Sequence, residues 1–374
     1  MSNDSFTLTY PAEIVFEPGG ALKLAGKLTR FQRILLVPGT HFAKTESYRE
    51  IVRSLSDYEL HAESGIQSEP PLEDVDRLAA AGRRFRAEAV IAIGGGSVID
   101  CAKAAAALIP LEGSCADYFS GQREIPGKGL FFAALPTTSG TGAEITNNAV
   151  LTDTATRIKK SLRHPSMTAD LALVDPLLTM SCPPSLTAAS GLDAFVQAFE
   201  SCTSPKASAA TRALAHAAVR KIYGSLEPAC TNGSDRTARS DMAEGSLLSA
   251  MAFSQTGLGA IHGLAHPIGS LLHVPHGKAC AILIPSMVSW NMSACADEYA
   301  AIAREGGLGG TAEDFLDACL ALCRKLGIPA GFSEYGLNES HFDFIVKNCR
   351  SASMKLNPRP MSDDDVRALL GKLV

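Results

Sequence analysis

The chain has no run of lysine or arginine long enough to make a nucleic-acid face. Its 34 basic residues are outnumbered by 39 acidic ones, a formal charge of -5. Phosphate-rich polymers are therefore poor partners. It has no CxxC pair and no short-scaffold cysteine spacing, so its ten cysteines read as reduced thiols of a cytosolic (cytoplasmic) protein. Cys319 and Cys323, four apart on an expected helix, read as buried small hydrophobes rather than a redox pair. The amino terminus lacks the basic start and apolar stretch of a secretory peptide. No segment supplies the roughly eighteen uncharged apolar residues of a membrane span. Residues 101–111 come nearest, and Lys103 and Pro110 interrupt them. Internal repeats and low-complexity tracts are missing too.

What is present is an ordinary globular balance, 46% apolar and 20% charged, in 374 residues. That length exceeds what one core usually serves, so two domains are expected. In the first half, short apolar runs at residues 33–37, 89–93, 130–135 and 171–174 are separated by helix-like stretches such as 72–85 and 98–108. Continuous apolar strands bounded by glycine and spaced by helices predict a parallel, doubly wound α/β sheet. Beyond Pro183-Pro184 the texture becomes Ala- and Leu-rich with helical periodicity, at 186–202, 207–223, 237–251, 311–326 and 363–373. The expected domains are 1–182, α/β, and 183–374, all-helical.

His262, His266, His273 and His276 place four of the nine histidines within fifteen residues. His262 and His266 share a face if the segment is helical. Gly277 offers a turn that brings His276 back toward them. Imidazole binds divalent transition metals and moves protons near neutral pH, so the cluster proposes a metal site, a proton relay, or both.

Two loops add a nucleotide. The run 89–93 leads straight into Gly94-Gly95-Gly96-Ser97 and then a helix start containing Asp100. A strand, a glycine turn and a helix N-terminus present free N–H groups to a phosphate. The run is not GxGxxG, and a plain glycine turn is the bland alternative. A second apolar strand leads into Thr137-Thr138-Ser139-Gly140-Thr141-Gly142, dense in hydroxyls suited to phosphate and ribose oxygens. A polar surface turn is the alternative there. In an open α/β sheet both loops fall at strand carboxyl ends, where ligands bind.

Gly94 to Lys103, Pro136 to Glu144, Gly191-Leu192-Asp193-Ala194, His262-Gly263-Leu264-Ala265-His266-Pro267 and Pro275-His276-Gly277 together resemble the iron-containing alcohol dehydrogenases, in that family's order and spacing and over nearly the whole chain. The resemblance implies the dehydroquinate synthase-like fold: a dinucleotide-binding α/β domain, a helical domain, and a divalent metal, iron or zinc, in the cleft between them. It implies hydride transfer between a nicotinamide and an alcohol or aldehyde. The metal ligands it implies fall on Asp193, position 197, His262 and His276. Position 197 departs from the pattern, being Gln197 where histidine is usual, and a neutral amide oxygen is the poorer ligand for Fe(II) or Zn(II). Three readings follow: metal retained with Gln197 as a weak ligand or hydrogen-bonding neighbour; metal lost, as in the similar maleylacetate reductases; or an altered reaction or inactive protein.

The resemblance makes His266 a proton relay rather than a ligand. Gly39 stands where NAD-preferring members carry an aspartate, which admits NADP(H), with Thr40, His41 or Lys44 as phosphate partners. The cofactor contacts are then Gly39, Gly94, Gly95, Gly96, Ser97, Asp100, Thr137, Thr138, Thr141 and Lys159, although Lys159 also reads as an ordinary solvated lysine. Phe195, Phe253, Asn147 and Asn148 are candidates to line the substrate pocket. The expected activity is NAD(P)H-dependent reduction of a small aldehyde or ketone with Fe(II) or Zn(II). Similar proteins are often dimers, so a homodimer fits. The rivals are a lyase of the dehydroquinate-synthase type, for which no basic cluster stands beside the histidines, and a nucleotide-binding protein with a decayed metal site.

Overall fold

The computed structural model describes residues 5–156 and 158–374. The chain divides into two compact units, one running from Tyr10 to Cys182 and the other from Pro183 to Val374. The second also takes in the stretch ending at Thr9, which the sequence reading gave to the first domain. There Thr9 N–H donates to Gln255 Oε1, and Gln255 Nε2 donates back to the Thr9 carbonyl.

In the first unit the elements run β1 (Glu13–Phe16), β2 (Arg33–Pro38), α1 (Glu46–Ser54), β3 (Glu59–Ala62), α2 (Leu72–Phe85), β4 (Ala89–Gly94), α3 (Gly96–Leu108), α4 (Cys115–Ser120), β5 (Phe131–Pro136), β6 (Asn148–Asp153), β7 (Ile158–Arg163) and β8 (Leu171–Val174). The main sheet has the order β1-β8-β5-β4-β2-β3 with every pair parallel. β4 and β8 are buried throughout because both sheet faces are covered. Their side chains alternate between two cores. Leu35, Val37, Val90 and Ala92 pack toward α2 and α3, whereas Ile34, Leu36, Ile91 and Ile93 pack with Leu24, Ile51 and Leu55 on the other face. From β2 the chain winds outward to β3 on one side and to β4 on the other. The switch point, where such sheets bind ligands, thus lies at the carboxyl ends of β2 and β4. β6 and β7 form a separate antiparallel hairpin.

The second unit contains α5 (Pro184–Thr203), α6 (Ala209–Thr231), α7 (Arg236–Thr256), α8 (Ala260–Leu272), α9 (His276–Gly306), α10 (Ala312–Lys325), α11 (Phe342–Asn348), α12 (Ala352–Lys355) and α13 (Asp363–Gly371). α5 begins with Pro184 at its first turn, where a missing N–H costs nothing, and is buried continuously from Ser190 to Cys202. It is the central helix, packed against α6, α7 and α9. Gly191 allows this, since a Cβ there would stand 2.3 Å from Leu226 Cδ1 on α6. α9 corrects the reading of residues 101–111 as the most membrane-like stretch. By length and composition it could cross a membrane, yet 56% of its most apolar window is buried in this unit, packed on α5 and α10.

Candidate active site

The nucleotide loops sit together at the switch point. Gly39 N–H donates to the Ile93 carbonyl at 2.9 Å and Thr137 N–H to the Gly94 carbonyl at 3.0 Å, which ties the exits of β2, β4 and β5 side by side. The glycines there do different jobs. A Cβ on Gly94 would meet Val98 Cβ at 2.6 Å, and one on Gly96 would meet Thr141 Oγ1 at 2.6 Å, so these two serve the protein's own packing. Gly39 and Gly95 have nothing nearer than 3.7 and 3.6 Å, leaving open backbone beside the N-terminus of α3. That is the arrangement a pyrophosphate requires. Ser97, Thr137 and Thr138 are half-buried around it, and Thr141 is exposed.

Two of the expected cofactor residues are engaged elsewhere. Asp100 Oδ2 accepts from Val150 N–H at 2.9 Å, and burial pushes the Asp100 pKa up to about 6 against the pull of Lys103. Lys103 is itself buried, donating to the Thr146 and Asn148 carbonyls at 2.7 Å, and burial lowers its pKa to about 8. The two pin α3 to β6. Lys159 pairs with Glu69 at 2.6 Å.

In the helical unit, three helices bring four candidate ligand atoms within 4.8 Å of one another: Asp193 on α5, His262 on α8, and His276 and Cys280 on α9. Asp193 Oδ1 lies 3.2 Å from His262 Nε2 and 3.7 Å from His276 Nε2. Cys280 Sγ is 3.7 Å from His276 Nε2. Metal–ligand bonds of about 2.0–2.3 Å in a tetrahedral shell put ligand atoms about 3.3–3.8 Å apart, so the side chains fit a divalent ion. Gln197 lies one turn beyond Asp193 and is 3% exposed, and its Oε1 has no hydrogen-bond partner among the described residues. A buried carbonyl oxygen left unpaired is costly, and a cation or a substrate hydroxyl would satisfy it.

The turn between α8 and α9 makes the cluster. His273 ends α8 in the left-handed conformation, φ 56°, and three residues later His276 opens α9. This brings His276 back over α8, its ring 5.5 Å from that of His262 and stacked on His266 at 4.8 Å. His266 is exposed and stands outside the ligand quartet, and His273 is an exposed cap.

The electrostatics are those of a held imidazole. Burial works against a charged His262, but the Glu200 charge and the bonds to Asp193 and Glu200 prevail and push its pKa up to about 9. Burial likewise works to raise Asp193, yet the His262 bond and the His276 charge outweigh it and leave its pKa lowered. The Cys280 thiol is driven well up by burial and by the Asp193 and Glu200 charges.

Sequence reasoning missed Glu200 and Cys280. Each had a spacing signal, Glu200 seven residues after Asp193 and Cys280 four after His276, both same-face intervals on a helix. It also misjudged Phe195. That ring is fully buried against Phe199, Tyr223 and Phe315, because its helix is enclosed on all sides, and it cannot line a pocket. Asn147 and Asn148 sit at the start of the β6–β7 hairpin, accepting from Arg163 and donating to Ser161. Cys319 and Cys323 are buried and free, as expected.

A glycine-lined helix N-terminus at a parallel-sheet switch point suits a dinucleotide, and an imidazole–carboxylate cluster suits a metal that bears charge on oxygen. Together they define a nicotinamide-linked oxidoreductase with a metal centre. Residues 11–176 match the family model for iron-containing alcohol dehydrogenase, and residues 187–374 match that for the Fe-containing alcohol dehydrogenase family, C-terminal. The chain belongs to the iron-containing alcohol dehydrogenase family, and is an oxidoreductase interconverting alcohols and carbonyl compounds. It is similar to long-chain-alcohol dehydrogenase 1 of Geobacillus thermodenitrificans, 37% identical over 382 residues, covering 96% of this chain and 95% of that protein. Sulfoacetaldehyde reductase of Bilophila wadsworthia is 33% identical, with 94% and 95% covered. Among solved structures, sulfoacetaldehyde reductase from Bifidobacterium kashiwanohense in complex with NAD+ matches with a TM-score of 0.93 and 27% identity, over 99% of this chain and 98% of that one.

Proposed function

We propose that this protein reduces a small aldehyde or ketone with NAD(P)H, and runs the reverse oxidation, using a divalent metal held by Asp193, His262 and His276. Fe(II) is the family's metal, and Zn(II) is the alternative occupant. The observation that carries the reading is one carboxylate oxygen, Asp193 Oδ1, with two imidazole nitrogens from two other helices within 3.7 Å of it. A bound divalent ion supplies Lewis-acid stabilisation of the charge that develops on the substrate oxygen, and a bound nicotinamide supplies the hydride.

The chain's own groups do the rest. Glu200 accepts from His262 Nδ1 and so presents Nε2 toward Asp193. His266, exposed and stacked on His276, carries the proton between solvent and the substrate oxygen. Gln197 Oε1 is a weak ligand or an acceptor for the substrate hydroxyl. The pyrophosphate rests on the open backbone at Gly39 and Gly95 and the first amides of α3, with Ser97, Thr137, Thr138 and Thr141 around it. With Gly39 in place of a carboxylate, and Thr40, His41 and Lys44 exposed just beyond, a 2′-phosphate is admitted, so both NAD and NADP serve. Lys159 contacts the cofactor only by leaving Glu69. Ten cysteines without a CxxC pair or a short-scaffold spacing support a cytoplasmic location. The acidic balance supports a small-molecule partner over nucleic acid, and a homodimer is the assembly we assign.

The test is NADH and NADPH consumption with a panel of small aldehydes and oxo-acids, comparing chelator-stripped protein with protein reconstituted anaerobically with Fe(II) or Zn(II). Activity only after reconstitution is expected. Equal activity in both samples would overturn the metal's role and favour the maleylacetate reductase type, and cofactor binding without turnover would favour a decayed site.

A further inference from the structure

We propose that Cys280 is a protein ligand to the metal, its thiolate supplying the strong donor that Gln197 does not. The inference rests on the metal-dependent reading above and goes beyond it, because the ligand set drawn from the family resemblance ends at Asp193, position 197, His262 and His276.

Four observations carry it. Cys280 is four residues after His276 on α9, so both side chains project from one face of that helix. Its Sγ lies 3.7 Å from His276 Nε2, and all four candidate donor atoms fall within 4.8 Å of one another. The thiol is fully buried, and its Sγ lies within 4.8 Å of an Asp193 carboxylate oxygen. Finally, Gln197 Oε1 has no hydrogen-bond partner among the described residues, so the oxygen at the departed histidine position is not bonded into the cluster.

Chemically the exchange is balanced. The metal–sulfur bond forms as the S–H bond breaks, the proton leaves to solvent, and the metal keeps its oxidation state. Asp193 and Cys280 then contribute two negative charges against a divalent ion, with two neutral imidazoles beside them. A thiolate is also the softer donor. It favours Zn(II) over Fe(II) relative to a shell of imidazole and carboxylate alone.

The test uses Co(II) as the probe with the full chain, stripped of metal and kept reduced. Titration of the wild type should bring up a thiolate-to-Co(II) charge-transfer band in the near ultraviolet that saturates at one equivalent. Cys280→Ser should lose the band and bind Co(II) roughly 100-fold more weakly, a loss at least as large as that expected for an outer partner of a ligand. Its loss of Zn(II) affinity should exceed its loss of Fe(II) affinity. Cys202→Ser is the control, since Cys202, His216 and Glu298 form a second grouping of donor atoms, and it should keep the band. Stoichiometric Co(II) uptake by wild type with no thiolate band would overturn the assignment while leaving the metal reading intact. A band that persists in Cys280→Ser and vanishes in Cys202→Ser would overturn it as well. No Co(II) uptake would take down both readings. Should Cys280→Ser fail to fold, the wild-type spectrum and Cys280→Ala decide.

Discussion

Glu200 Oε2 sits 2.7 Å from His262 Nδ1, and the two carboxylate oxygens also accept the Gly259 and Ile261 N–H groups at 2.8 Å. One carboxylate on α5 therefore caps the start of α8 and fixes the imidazole that α8 carries. A negative charge at a helix N-terminus is stabilising in its own right. Glu200→Gln keeps the volume and an oxygen acceptor but sets an amide against an N–H donor. We expect metal affinity to fall about 10–100-fold, read by competition with a chromogenic chelator. Unchanged affinity would show that Glu200 serves only the helix start.

Gln197→Leu removes the unpartnered Oε1 at similar volume. In chelator-treated protein the substitution should stabilise the fold by about 1 kcal/mol, because an orphaned buried acceptor disappears. Urea unfolding of both proteins, with and without added metal, checks this. Destabilisation in the metal-free state would mean that the oxygen has a partner the geometry does not reveal.

The glycine turn separates into two classes of position. Gly96→Ala drives a Cβ to 2.6 Å from Thr141 Oγ1 and should lower stability by about 1–3 kcal/mol, as overpacking does. Gly95→Ala meets nothing nearer than 3.6 Å at an ordinary φ of -73°, so its melting temperature should stay put while NADH affinity drops. Fluorescence titration with NADH alongside a thermal melt distinguishes the two. An alanine at 95 that leaves affinity untouched removes the pyrophosphate from that backbone.

Glu144 is buried, and desolvation, opposed by the Lys103 charge, raises its pKa from 4.5 to about 7. A carboxyl whose folded pKa is raised favours the folded state while protonated. That contribution is present below the unfolded pKa and is lost as pH rises through about 7. Glu144→Gln, permanently neutral, should therefore match the wild type near pH ~4, below the unfolded value, and exceed it near pH ~8 in urea midpoint. Parallel midpoints at the two pH values would mean that Glu144 is ionised throughout.

The elements legible in the sequence were those with a strong pattern, strands buried on both faces and an amphipathic helix. The runs that became β2, β4, β5 and β8 are continuous and apolar, and 72–85 is α2 to the residue. β3, reading ELHA, and β7, reading IKKSLR, are short and partly exposed, and nothing in their pattern separates them from loop. The stretch ending at Thr9 was misplaced because its attachment is a pair of hydrogen bonds to Gln255, which no periodicity records. In the site, the aspartate and histidines stood out by type and motif. Glu200 looked like one more helix carboxylate and Cys280 like one more buried thiol, because their meaning depends on which helices meet. Phe195 erred the other way, an aromatic near a candidate ligand on a helix that is enclosed.

Gly277 approaches Ala189 so closely that a Cβ on it would lie 2.0 Å from the Ala189 carbonyl oxygen. The first turn of α9 thus rests on the main chain of α5, and the offset between His276 and Asp193 is set by backbone against backbone. Donor identity is thereby uncoupled from scaffold geometry: exchanging imidazole for amide at one position and placing sulfur at another alters what the shell prefers without asking any helix to move. Point substitution alone can then change the donors offered at this joint, while the backbone that spaces them stays as it was.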